Sequence, residues 1–266
     1  MAHTAMSGSG TTADDDPPLQ TAVWRLRSRA CWTDAAALLE PHAATDPALA
    51  LQRTALLTER CLYTGTGWTD ADEALRTAEA LAHDDTGRGA AACERGYLAY
   101  ASTLLGARDR ADEASVALSR AAALLPPSAP GRALLYFRRG LIAQNLAGAP
   151  QSARAAYTRA HAGALDQRDT LLLSFTWRQL ASLAFQEGDL AQARHGFAQS
   201  LRIREELGYL VGTAPALISL ADTETEPAEA ARLRAEAGRL FRLLGGVPTW
   251  LAPHLEPPDP HTAEAN

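Results

Sequence analysis

The chain contains no lysine; all 25 of its basic residues are arginine. That excludes a phosphate loop closing on Gly-Lys-Ser/Thr, so Gly65-Thr66-Gly67 and Gly87-Arg88-Gly89 read as turns. An all-arginine complement is what the codon usage of a GC-rich bacterial genome produces. Cysteine is scarce and odd in number: Cys31, Cys61 and Cys93 fit neither a disulfide framework nor a metal knuckle. They point to reduced thiols in a cytoplasm. Aromatics make up only 6% of the chain, and alternating runs of Val, Ile and Thr are nearly absent, which argues against a sheet. No window approaches 18 apolar residues, and the first stretch lacks a secretory apolar run, so no membrane association is expected. A net charge of −6 without a basic stripe argues against direct nucleic-acid binding. The seven histidines form no HExxH and no i, i+4 pair with a third ligand, and no Gly-x-Ser-x-Gly occurs. No catalytic residue, metal or cofactor is therefore expected. The acids Asp70, Asp72, Glu73, Asp112 and Glu113 open helices, where they complement the helix dipole.

What the chain has is alanine and leucine at helical spacing, within an apolar content of 47%. The tetrapeptide Ala-Asp-Glu-Ala occurs at 71–74 and again at 111–114. Equivalent second-helix alanines recur at Ala74, Ala114, Ala153, Ala193 and about Ala230, at intervals of 40, 39, 40 and about 37. So steady a period without strand signals means stacked helical hairpins. Turns within the pairs are read at Gly65–Thr69, Gly106–Arg110, Ala147–Pro150, Gly188-Asp189 and Thr223–Pro227. A first pair is read at Leu19–Cys31 and Thr33–Glu40, stopped by Pro41.

The stretch Trp177–Leu201 carries an aromatic, the pair Leu180-Ala181, a Gly188-Asp189 turn, then Ala193, Phe197 and Ser200-Leu201. This order resembles the tetratricopeptide repeat (TPR), and the period resembles the ~40-residue arrays of bacterial regulators. The resemblance covers roughly residues 47–245 and implies an all-α, right-handed solenoid of five to six antiparallel helix pairs. The expected organisation is a disordered tail at 1–18, a helical repeat domain at 19–246, a capping segment at 247–255 with Trp250 and Leu251, and a disordered tail at 256–266.

In such a fold the first helix of each pair lines a concave groove. The registration places Tyr97, Tyr100 and Thr103 there from the second full pair, and Phe137, Arg138 and Gln144 from the third. The third pair registers in two ways, one residue apart, around Gly140. Arg178, Ser182, Phe185 and Gln186 follow from the fourth pair, and Ser219 and Asp222 from the last. Aromatics, arginines and amides together suit a peptide or an anionic group. The family's best-known groove grips a peptide's terminal carboxylate with lysines, which this chain does not have. The expected function is a non-catalytic, cytoplasmic scaffold or regulatory module for a protein or peptide partner. The alternative is an enzyme or small-molecule binder of a secondary-metabolism pathway built in the groove. Homodimerisation through the terminal helices is a third option.

Overall fold

The computed structural model describes residues 17–252. The expected tails lie outside the described residues, except that Pro17 and Pro18 belong to the first helix. Proline suits a first turn, where the missing N–H would have had no helical partner. Twelve α-helices and no strand occur among the described residues: α1 (Pro17–Arg27), α2 (Trp32–Ala43), α3 (Pro47–Thr64), α4 (Trp68–Leu81), α5 (Asp85–Leu104), α6 (Ala111–Leu124), α7 (Arg132–Asn145), α8 (Pro150–Gln167), α9 (Thr170–Gln186), α10 (Leu190–Glu206), α11 (Leu210–Ala221) and α12 (Pro227–Leu243).

The breaks fall where short polar residues can satisfy the orphaned amides of a helix start. Asp46, Asp84, Asp169 and Asp189 each accept backbone N–H bonds at the beginning of α3, α5, α9 and α10. Pro41 does not stop α2, which runs on to Ala43. The carbonyl it leaves free belongs to exposed Ala37, while buried Ala43 packs with Ala50 and Ala78 and holds the last turn in place.

Consecutive helices pack as pairs, α3 with α4, α5 with α6, α7 with α8, α9 with α10 and α11 with α12. In α9–α10 a Cβ added at Gly196 would lie 2.8 Å from the Ala181 Cβ, whereas Ser200 donates to the Ser174 carbonyl at 2.8 Å. Rising position on α10 meets falling position on α9, so the pair is antiparallel. Small residues mark each crossing. Gly96 lies against Leu118, and Gly140 lies against Tyr157, which settles the crossing of the third pair at Gly140.

The two ends of the array meet. Val23, Trp32, Leu39, Leu56 and Tyr63 from α1–α3 share one buried cluster with Leu171, Tyr209 and Val211. The Val211 N–H donates to the Ser28 carbonyl at 2.9 Å. Beyond α12, the Thr249 N–H donates to the Tyr63 carbonyl at 2.8 Å, and the Tyr63 hydroxyl donates to the Gly246 carbonyl at 2.8 Å. Leu251 is buried among α11 and α12 residues. The faces of α5, α7 and α9 that were expected to stand open are thus bridged at their margins by the first three helices and by residues 246–250.

Candidate binding site on the inner face

Helices α5, α7, α9 and the start of α11 turn a continuous aromatic strip inward. Tyr97 stacks on Tyr100 with centroids 6.0 Å apart, and Phe137 stacks on Phe175 at 5.9 Å. Phe175 meets Tyr209 edge-on at 6.1 Å, and Tyr209 stacks on Trp24 of α1 at 5.6 Å. Residues three or four apart share a helix face, so α5 contributes Tyr97 and Tyr100 from adjacent turns.

Four arginines enter this interior and end differently. Arg27 forks onto Glu59, at 3.0 Å through Nε and 2.5 Å through Nη2, and Trp32 Nε1 donates to the same carboxylate at 3.2 Å. Arg138 reaches Glu94 at 2.6 Å and the Cys93 sulfur at 3.2 Å while covering the Tyr97 ring at 4.5 Å. Arg204 pairs with no carboxylate among the described residues. It donates to the Gly212 carbonyl at 2.8 Å, approaches the Ser174 hydroxyl at 3.4 Å and lies 5.3 Å over Phe175. Arg178 makes no hydrogen bond or ion pair among the described residues. Its Nε is buried without a partner, and its guanidinium lies 5.1 Å over the ring of Trp250.

Burial pulls the Arg178 pKa below the ordinary arginine value, partly offset by Tyr157 and Tyr100. Burial, and then the charge of Arg178, pull Arg204 down as well. Burial also pushes the Tyr100 phenol up to about 12, so it remains neutral and supplies no counter-charge. A guanidinium holds its proton in a protein, and these shifts therefore mark desolvated charge without a counter-ion rather than a neutral arginine. Arg178 is nevertheless only half-buried. It borders space that water can reach.

The sequence-derived groove residues divide sharply. Tyr100, Phe137 and Arg138 are 3%, 8% and 5% exposed, so they build the wall and are not offered to a partner. Their aromatic and aliphatic bulk is consumed by neighbouring pairs, which the registration of a single hairpin does not reveal. Thr103 donates to the Ala99 carbonyl and accepts the Arg110 N–H, stapling the α5–α6 turn. Gln144 accepts the Tyr157 hydroxyl at 2.8 Å. Ser219 donates to the Pro215 carbonyl, and exposed Asp222 pairs with Arg234 at 2.9 Å. Tyr97, Arg178 and Ser182 are half-buried, while Phe185 and Gln186 are exposed at the end of α9. Arg204, Tyr209 and Trp250 are absent from the sequence-derived set. Arg204 sits on a second helix, which the repeat pattern assigns to the outside, and no periodic signal turns its long side chain inward.

An outer cleft between α4, α5 and α6 is lined by Glu79, Arg88, Arg95, Glu113, Val116 and Arg120. Its charges largely neutralise one another: Arg95 is bonded to both Glu79 and Glu113.

No protein-family model matches the chain, and no curated protein matches it significantly. Among solved structures, the crystal structure of BtubC (BKLC) from P. vanneervenii is similar, with a TM-score of 0.52 and 17% identity. The match covers 90% of this chain and 95% of that one. At that identity the likeness concerns the fold alone.

Proposed function

We propose that the chain is a non-catalytic binding module, a right-handed TPR-like solenoid that receives a protein or peptide segment on its inner face. The pairing of consecutive helices and the small residues at their crossings support the solenoid. The observation that carries the binding role is Arg178. A folded protein keeps a half-buried, unpartnered guanidinium at a cost, and a ligand that supplies the missing acceptors removes that cost. Exposed Phe185 and Gln186, two turns further along α9, extend the same face outward. A second reading, an enclosed small-molecule site, is favoured by the bridges from Ser28 to Val211 and from Tyr63 to Thr249, which restrict what can enter.

Selection of peptides from a displayed random library on the immobilised full chain tests the proposal. Selected peptides are expected to lose at least about tenfold in affinity, about 1.4 kcal/mol, against Arg178→Ala combined with Phe185→Ala. They should be unaffected by Val116→Ser, whose side chain is 69% exposed on α6. Peptides indifferent to the inner-face pair would overturn it.

A further inference from the structure

Arg178 and Arg204 lie within electrostatic reach of each other, since the charge of Arg178 helps pull the Arg204 pKa down. Arg204 Nε approaches the hydroxyl of Ser174, which lies on α9 one turn before Arg178, at 3.4 Å. The other two inward-facing arginines have carboxylates, Glu59 for Arg27 and Glu94 for Arg138. Arg178 and Arg204 have none among the described residues; the Arg178 Nε is buried without a partner, and the charge of Arg178 acts unfavourably on buried Arg204. Burying an unpaired charge is among the most costly arrangements in a protein interior. It persists where something outside the fold completes it.

The geometry also selects the kind of group. The Arg178 guanidinium carbon lies 5.1 Å from the centroid of the Trp250 ring, and its N–H groups have no acceptor among the described residues. Two parallel N–H donors match two oxygens of a planar or tetrahedral oxyanion. Arg204, with its Nη1 and Nε already engaged by Gly212 and Ser174, adds positive charge in the neighbourhood of Arg178.

We propose that Arg178, supported by the charge of Arg204 and lying over Trp250, is an oxyanion-binding site that takes a phosphoryl or carboxylate group of the ligand. This rests on the inner-face reading only for the route by which the ligand arrives.

Calorimetric titration of the full chain with inorganic phosphate, and separately with acetate, at fixed ionic strength tests it. Saturable binding of at least one anion is expected, weakened at least about tenfold in Arg178→Gln. Saturation by phosphate alone assigns a phosphoryl ligand, and saturation by acetate alone assigns a carboxylate. Arg178→Met in anion-free buffer should melt higher than wild type, by about 3 °C, because it removes an unpaired charge. A drop in melting temperature, absence of binding by both anions, or unchanged binding in Arg178→Gln would each overturn the site. If neither anion binds while selected peptides still require Arg178 and Phe185, the oxyanion site falls and the inner-face reading stands. If an anion binds through Arg178 but no peptide is selected, the reverse holds.

Discussion

Replacing Glu94 with alanine should destabilise the protein by about 3–5 kcal/mol, the usual cost of stripping one partner from a buried ion pair. Glu94 and Arg138 are 7% and 5% exposed, and their 2.6 Å contact ties α5 to α7 across neighbouring pairs. Without Glu94, Arg138 would retain only the Cys93 sulfur and the face of Tyr97. Burial alone would pull the Arg138 pKa down, and the charge and hydrogen bond of Glu94, together with Cys93 and Tyr97, more than reverse that, so removal of Glu94 takes away its main compensation. The loss should read as a fall in melting temperature of roughly 6 °C or more. Glu94→Leu with Arg138→Met should recover most of it, since a packed apolar pair needs no counter-charge. A Glu94→Ala protein as stable as wild type would show that the pair is solvated.

Tyr157→Ala should cost a comparable amount, about 3–5 kcal/mol, because the ring is fully buried and fills the crossing of α7 and α8. The partner in this effect is Gly140. A Cβ built there would lie 2.4 Å from Tyr157 Cε1, and the ring is fully buried. Gly140→Ala alone should therefore destabilise by about 1–3 kcal/mol. In the Tyr157→Ala background the same change should become neutral or stabilising, since the vacated volume accepts a methyl group and alanine is the better helix former by about 1 kcal/mol. Equal effects of Gly140→Ala in both backgrounds would separate the two residues.

The helices were legible because each carries its own punctuation. Asp189 and Gly188 announce a turn in any context, and alanines repeated every forty residues or so place the crossings. Pro41 misled because its effect depends on whether the freed carbonyl meets water, which local sequence does not state. The site was legible only in part, for the same physical reason. Registration within one hairpin groups residues such as Tyr97 and Arg178 on one face of their helices, but only contacts between distant pairs decide which residue of that face is consumed. Phe137 is spent on Phe175 and Tyr157, and Arg138 is spent on Glu94. Trp250 comes to cover Arg178 only because the segment after α12 returns to Tyr63, more than 180 residues earlier. No period encodes that return.

That return, which brings the segment after α12 onto the end of α3, is the feature on which the site depends. Gly65→Cys with Thr249→Cys tests it in a Cys31→Ser background, because Cys61 and Cys93 are buried and shielded from oxidant. A Cβ at Gly65 would stand 4.0 Å from the Thr249 Cβ, inside the roughly 3.5–4.5 Å span of a disulfide. The positive φ of Gly65, 72°, imposes a strain of about 1–2 kcal/mol on a cysteine there, too little to prevent bonding. The measurement is the fraction of intramolecular disulfide formed in the folded protein under mild oxidation, read by alkylation and mass. Near-complete bonding without loss of helical signal is the expected result. Two thiols that stay free to alkylation in the native state would contradict the closure, and with it the placement of Trp250 over Arg178.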